Sequence, residues 1–330
     1  MSSKSNGLAC HIRETSYMGF VDVLKNLPEI VRLFAFAKND IVKFNPACVI
    51  LIDYPGFNLR MARWLKNKGY KVIYYITPQV WAWKPNRVKA LNDSCFKIIS
   101  VLPFEKEFFR QRGVHVEYVG HPIIDEIDKH KKEIPKLKPK NRTIAILPGS
   151  RPQEVKKMLR PMIAGALQLK PCIIDISRVK NISNSIYSQC LDEFQESTTT
   201  INIKDLYSYA ILDNADLAVV SSGTASLETA LLGVPQVVCY RMSPISYRIA
   251  RMLVKIRYIS LVNLILDQGV IPELIQKDCN AEEIAKSLQW VESNVIAIRK
   301  SYETLRQKLG DPGASARAAG IIVKSISSFS

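Results

Sequence analysis

The sequence predicts two parallel, doubly wound α/β units, on three observations. Apolar runs of strand length alternate with helical patterns from Ala47 to Tyr240, as βαβ units of a parallel sheet do. Two of these runs end in small, turn-forming residues that open a helix: Thr-Ile-Ala-Ile-Leu-Pro-Gly-Ser-Arg from Thr143 to Arg151, and Asp-Leu-Ala-Val-Val-Ser-Ser-Gly-Thr-Ala-Ser-Leu-Glu from Asp216 to Glu228. Between the halves, Lys129 to Arg142 is rich in Lys and Pro with little hydrophobic periodicity, which marks it as a linker. At 330 residues the chain can build two cores.

Taken in order, Ala47–Ile52 is a buried strand ending at Asp53, and a helix from Leu59 to Lys68 stops at Gly69, a residue suited to a helix C-cap. Strands come next at Lys71–Ile76, Lys97–Leu102 and Val116–Val119. After the linker come strand Thr143–Leu147, a helix from about Gln153 to Leu169, and strands Cys172–Ile176, Asp216–Val220 and Gln236–Tyr240. A basic amphipathic helix is expected from Ile245 to Ile256. From Ala281 the pattern is helical, with a break at Asp311-Pro312-Gly313.

Lys and Arg number 46 against 30 Asp and Glu, a net charge of +16. That excess favours an acidic partner: nucleic acid, an anionic membrane face or a phosphorylated ligand. Seven scattered Cys without a Cys-x-x-Cys pair fit reduced thiols, and four His without ligand spacing predict no metal site. No apolar run is long enough to cross a bilayer, and the polar opening Met1–Gly7 lacks a signal-peptide pattern.

The two junctions carry the chemistry. Gly149 lets the backbone approach a ligand, Ser150 adds a donor, Pro152 suits the first helical position, and Arg151 can clamp a diphosphate with two N–H groups. Ser222, Gly223 and Thr224 offer donors at a second helix start, with Glu228 a turn further on, in reach of a ribose. In the first half, Asp53 stands where open α/β sheets keep their chemistry and could take a proton from a hydroxyl. Trp81 and Trp83, on the loop after the next strand, suggest a sugar- or lipid-contacting surface or a packed lid, and His121 could line the same cleft or serve structure alone. Arg248, Arg251 and Lys255 form a stripe beside Ile245, Ile249, Met252 and Ile256, suited to an anionic lipid surface or to solvent.

At this point the motifs resemble, in order, those of the lipid-A-disaccharide synthase family. They are Ile52-Asp53-Tyr54-Pro55-Gly56-Phe57-Asn58, Val80-Trp81-Ala82-Trp83, Leu102-Pro103-Phe104-Glu105, Gly120-His121-Pro122, Leu147 to Arg151, Ser222 to Glu228, Tyr240-Arg241-Met242 and Tyr258 to Leu264. The resemblance implies two Rossmann-like domains facing a cleft, the glycosyltransferase B-type fold. It divides the chain into an acceptor-side domain (1–135), a UDP-sugar-binding domain (136–310) and a C-terminal helix (311–330) crossing back to the first. It implies transfer of 2,3-diacylglucosamine from UDP-2,3-diacylglucosamine to 2,3-diacylglucosamine 1-phosphate (lipid X), with inversion and without a metal or other cofactor. The setting would be the cytoplasmic face of the inner membrane. The partners would be these two substrates and the anionic membrane surface, not nucleic acid; oligomeric state stays open. Asp53 would be the general base, and Arg151, Glu228 and Asn263 would serve UDP. Trp81, Trp83, His121, Arg241, Arg248 and Arg251 are candidates for the acceptor and lipid side.

One departure stands out. The family opens with a strand and a Gly-Glu-x-Ser-Gly-Asp loop; nothing before Cys10 matches these, and His11 to Leu24 already resembles the family's next segment. The first domain is therefore expected to be incomplete. Two other readings stay open: an impaired remnant that still binds UDP, and a UDP-sugar epimerase of similar fold.

Overall fold

The computed structural model describes residues 26–82, 87–133, 141–169, 172–205, 208–253 and 256–327. The expectations about the chain's opening, Trp83 and Lys255 lie outside these residues. The first half runs α1 (Leu27–Phe44), β1 (Val49–Ile52), α2 (Pro55–Asn67), β2 (Val72–Tyr75), α3 (Arg87–Ser94), β3 (Lys97–Ser100), α4 (Glu105–Arg110), β4 (Glu117–Tyr118) and α5 (Ile123–Glu133). The second half opens with β5 (Thr143–Leu147), α6 (Pro152–Ala166), β6 (Ile173–Ser177), α7 (Asn184–Leu191), β7 (Ile201–Lys204) and α8 (Ser208–Leu212). It continues with β8 (Leu217–Ser221), α9 (Thr224–Leu231), β9 (Gln236–Tyr240), α10 (Pro244–Leu253), α11 (Leu261–Leu266) and β10 (Glu273–Ile275). It ends in α12 (Ala281–Ser293), α13 (Val295–Leu309) and α14 (Ala314–Ser327).

The first sheet has the order β1-β2-β3-β4 and the second β10-β9-β8-β5-β6-β7. Every pairing in both is parallel. The chain starts the second sheet at β5, builds outward to β7, then returns to lay β8 on the other side of β5. This reversal places β5 and β8 side by side, with Leu147 opposite Val220. All five residues of each strand are buried, as central strands covered on both faces must be. The crevice beyond the carboxyl ends of two such strands is the usual ligand site of a doubly wound sheet.

Helix α6 shows how local pattern becomes packing. Pro152 sits at its start, and Val155, Met158, Leu159, Met162, Ile163 and Ala166 form its buried stripe. A connected core joins Ile144, Ile146, Val219 and Val238 to Ile99, Val119, Ile124 and Ile127 of the first half. A second cluster, with Leu65, Tyr74, Leu91 and Phe109, fills the other side of the first sheet.

The expected linker is shorter than its composition suggested. Lys129 to Glu133 continue α5, because Ile123, Ile124 and Ile127 bury one stripe while Glu126, Lys129 and Lys131 face solvent. Acidic residues in its first turn and basic ones near its end suit the helix dipole. His130 Nε2 lies 2.5 Å from Asp213 Oδ2, and Lys131 donates to the Leu231 carbonyl at 3.3 Å, so α5 is tied to the second half.

The C-terminal helix is tied to the first half. Asp125 accepts from the N–H groups of Gly313, Ala314 and Ser315, a carboxylate seated at the start of α14. Arg317 donates to the Val119 carbonyl at 2.9 Å, and the Tyr118 hydroxyl donates to the Leu309 carbonyl at 3.0 Å. Gly120 has φ +85°, a conformation that suits glycine, at the point where Arg317 and Leu309 pack on the first half.

Candidate active site

The two junctions predicted to hold an anion come directly after the neighbouring strands β5 and β8. At the first, Gly149 has φ +116°, a conformation that L side chains avoid. Glu154, in the first turn of α6, reaches back into this turn. Its Oε2 accepts the Ser150 N–H at 3.0 Å, and its Oε1 lies 2.6 Å from Arg151 Nη1. Tyr240, at the end of β9, has its hydroxyl pKa raised by burial and by the charge of Glu154.

At the second junction, Gly223 and Thr224 are exposed at the start of α9. Ser222 Oγ donates to the Ile259 carbonyl at 3.0 Å. Glu228 is half-buried; Ser208 Oγ donates to it at 3.3 Å, the Tyr209 hydroxyl bonds to it, and burial raises its carboxyl pKa. Asn263 lies behind this surface, 1% exposed. Its amide donates to Ile271 O and Glu273 Oε1, each at 2.9 Å, and its Oδ1 accepts from Val270 and Ile271 N–H. Glu273 also accepts from Ile259 N, Ser260 N and Ser260 Oγ. Glu273 and Asn263 thus fix the segment on which Ser222 leans. Arg241, placed on the acceptor side from sequence, stands after β9 in the second sheet, donating to Gln276 O at 3.0 Å. Arg248, Arg251 and Met252 are exposed on α10.

At the carboxyl end of the first sheet, Asp53 and Tyr54 have φ of +47° and +46°, rare values for non-glycine residues. Three bonds hold this turn. Asp53 N–H donates to Tyr75 O at 3.0 Å, and the Asp53 carbonyl accepts from Asn58 Nδ2 and Tyr74 Oη, both at 2.7 Å. Asp53 is exposed, and partial desolvation of its carboxyl raises the pKa against the lowering effect of the Tyr54 N–H.

Trp81 Nε1 donates to Glu105 at 3.2 Å and its ring meets Phe104 edge-on at 5.0 Å. Glu105 is 1% exposed, also accepts the Leu102 N–H, and burial pushes its carboxyl up to about 7. His121 is nearly buried and its pKa is lowered to about 4 by burial. Its Nδ1 accepts the Ile123 N–H at 3.2 Å, so it stays neutral and supports the start of α5. Sequence reasoning passed over Tyr74, Glu154, Ser208, Tyr209 and Glu273. Only Glu154 carried a signal, as a carboxylate in a helix's first turn.

The lipid-A-disaccharide synthetase family model matches residues 1–323. The chain belongs to this family. A lipid-A-disaccharide synthase of Syntrophus aciditrophicus is 36% identical over 316 residues, 93% of this chain and 82% of that protein. One from Geobacter sulfurreducens is 33% identical, over 94% and 83%. The family makes the chain a glycosyltransferase of lipid A biosynthesis. Among solved structures, the UDP-GlcNAc 2-epimerase of Neisseria meningitidis has a TM-score of 0.60 at 13% identity, covering 94% of this chain and 83% of that one. The MurG of Acinetobacter baumannii has 0.53 at 16%, over 90% and 78%. These likenesses establish the two-Rossmann-unit, glycosyltransferase B-type fold.

Proposed function

We propose that this chain transfers 2,3-diacylglucosamine from UDP-2,3-diacylglucosamine to the 6-hydroxyl of lipid X, releasing UDP. Residues 136–310 form the donor side, 1–135 the acceptor side, and the segment from 311 ties the two. The observation that carries the reading is the reversal between β5 and β8, which sets Gly149, Ser150 and Arg151 beside Ser222, Gly223 and Thr224. Two helix starts and a guanidinium at the ends of neighbouring strands support a site for the departing diphosphate, where charge builds. Glu228 receives the ribose, and Asn263 acts from behind by shaping the loop.

Asp53 accepts the proton of the attacking hydroxyl. A lipid acceptor is supported by the groove beside it, of about 320 Å³, lined by Leu33, Phe36, Ile41, Ile52, Tyr54 and Phe57 among others. No helix among the described residues is long and apolar enough to cross a membrane. Contact with the anionic inner-membrane surface, on its cytoplasmic face, is supported by exposed Val31, Phe36 and Phe44 on α1 and by Arg248, Arg251 and Met252 on α10.

The test is turnover of the purified chain with UDP-2,3-diacylglucosamine and lipid X. Disaccharide 1-phosphate and UDP in equal amounts are expected. UDP binding without turnover would reduce the chain to a binding remnant, and an epimerised UDP-sugar would replace transferase with epimerase chemistry. Sedimentation with anionic phospholipid vesicles, against neutral ones, tests the membrane contact.

A further inference from the structure

We propose that Glu154 is an internal competitor for the donor's diphosphate, seated in the β5–α6 turn and displaced when the nucleotide enters. The inference rests on the donor-site reading above and assigns that site a built-in opposing charge.

The carboxylate takes the contacts an anion takes at a helix start. One oxygen accepts a backbone N–H, from Ser150, and the other meets the Arg151 guanidinium. A first-turn glutamate ordinarily reaches back to the N–H of the cap residue itself. Here the cap residue is Arg151, and Glu154 reaches past it to Ser150. The carboxylate therefore leans into the turn. Gly149 leaves it the room: a Cβ there would stand 2.4 Å from Glu154 Oε2 and 2.8 Å from its Cβ. The Glu154 side chain is 19% exposed, whereas Arg151 is 44% exposed. The guanidinium can thus swing to a new partner while the carboxylate sits in the seat.

A diphosphate and a carboxylate repel each other, and the single Ser150 N–H, already taken by Glu154, cannot serve both. Binding must exchange one anion for the other. That exchange weakens UDP binding and, after transfer, gives Arg151 and Ser150 a partner to return to as UDP leaves. A glutamate that only oriented Arg151 for the ligand would have the opposite effect on affinity, which makes the two roles separable.

Calorimetry with UDP on the full chain decides it. Glu154→Gln is expected to bind UDP about tenfold more tightly than wild type, the scale of one like-charge contact at a partly exposed site. Uridine, which brings no phosphate, is expected to bind both alike. Glu154→Asp keeps the charge but withdraws it by one methylene, and is expected to tighten UDP by a smaller factor. UDP binding that is unchanged or weaker in both variants, with thermal midpoints near that of wild type, overturns the inference alone. If wild type itself binds no UDP, the donor-site reading falls and takes this inference with it.

Discussion

After β1 the backbone turns through two non-glycine residues, Asp53 and Tyr54, both with positive φ. After β5 it turns through Gly149, and the neighbouring polar groups pair among themselves: Arg151 with Glu154, Ser222 with Ile259 O, Glu228 with Ser208 and Tyr209. The first turn stores roughly 1–3 kcal/mol of strain per residue, and Asn58 and Tyr74 hold it by gripping one carbonyl. What it presents is a single carboxylate on a backbone held in place. The second arrangement stores its capacity in hydrogen bonds that a ligand can exchange. On the proposed reading, one end of the molecule aims a reacting group and the other binds and lets go.

This contrast is most exposed to Asp53→Asn. The amide keeps the shape and the turn but cannot accept the proton. Turnover is expected to fall by about 10²–10⁴-fold, the usual weight of a general base. UDP affinity, set in the other half, is expected to hold. Steady-state rates and UDP calorimetry on the same preparation check both, and a matched loss of UDP affinity would show that the two ends do not divide the work in this way. In wild type, the acid limb of the pH–rate profile is expected above the ordinary aspartate range, in line with the raised carboxyl pKa of Asp53.

How much of this could be read from the sequence differs between the two ends. The continuous apolar runs of β5 and β8 stop at Pro-Gly-Ser and Ser-Ser-Gly, so the donor turns were visible as turns. The order of strands was not, because adjacency of β5 and β8 depends on a crossover that no local pattern encodes. Tyr74 read as a strand residue, since its hydroxyl finds Asp53 only through the β1–β2 register. Glu273 was silent because its partners gather from the loop after Tyr258. Lys129 to Glu133 looked like a linker because Lys129 and Lys131 lie on the solvent face of α5. Strands β7 and β10 are short and partly polar, and gave no signal.

Glu105 probes the packing beneath the acceptor end. Its carboxyl is buried under Trp81 and titrates at about 7 in the folded protein, against 4.5 for an ordinary glutamate side chain. The folded state therefore holds a proton that the unfolded state has released across that interval. Stability from this group is full below about pH 4.5 and is lost as pH rises towards 7, by about 3 kcal/mol in all. Urea unfolding from pH 5 to pH 7.5 is expected to show this decline. Glu105→Gln, which cannot titrate, is expected to flatten it at some cost at every pH; an equal slope in the variant would assign the decline to another group.

On the donor side, Glu273→Ala leaves Ile259 N and Ser260 N without their acceptor and takes one of two acceptors from Asn263 Nδ2. A loss of about 2 kcal/mol is expected in urea unfolding. UDP affinity should fall with it, because Ser222 leans on Ile259. Stability lost with affinity intact would separate the Tyr258–Asn263 segment from the nucleotide site.

Tyr74→Phe is the smallest change and tests the claim about aim most directly. The ring is fully buried and its packing is kept; only the hydroxyl that donates to Asp53 O goes. Burial holds that hydroxyl protonated, so it is a donor at every working pH. Asn58 remains on the same carbonyl, so the turn should survive with about 1 kcal/mol less stability. A turn whose Asp53 carbonyl is held by one donor instead of two orients the residue that carries the carboxylate less tightly, and kcat is expected to fall about fivefold. UDP affinity and the position of the acid limb are expected to stay where they are. A stability loss with kcat untouched would make Tyr74 a packing residue and leave the strained turn to Asn58 alone.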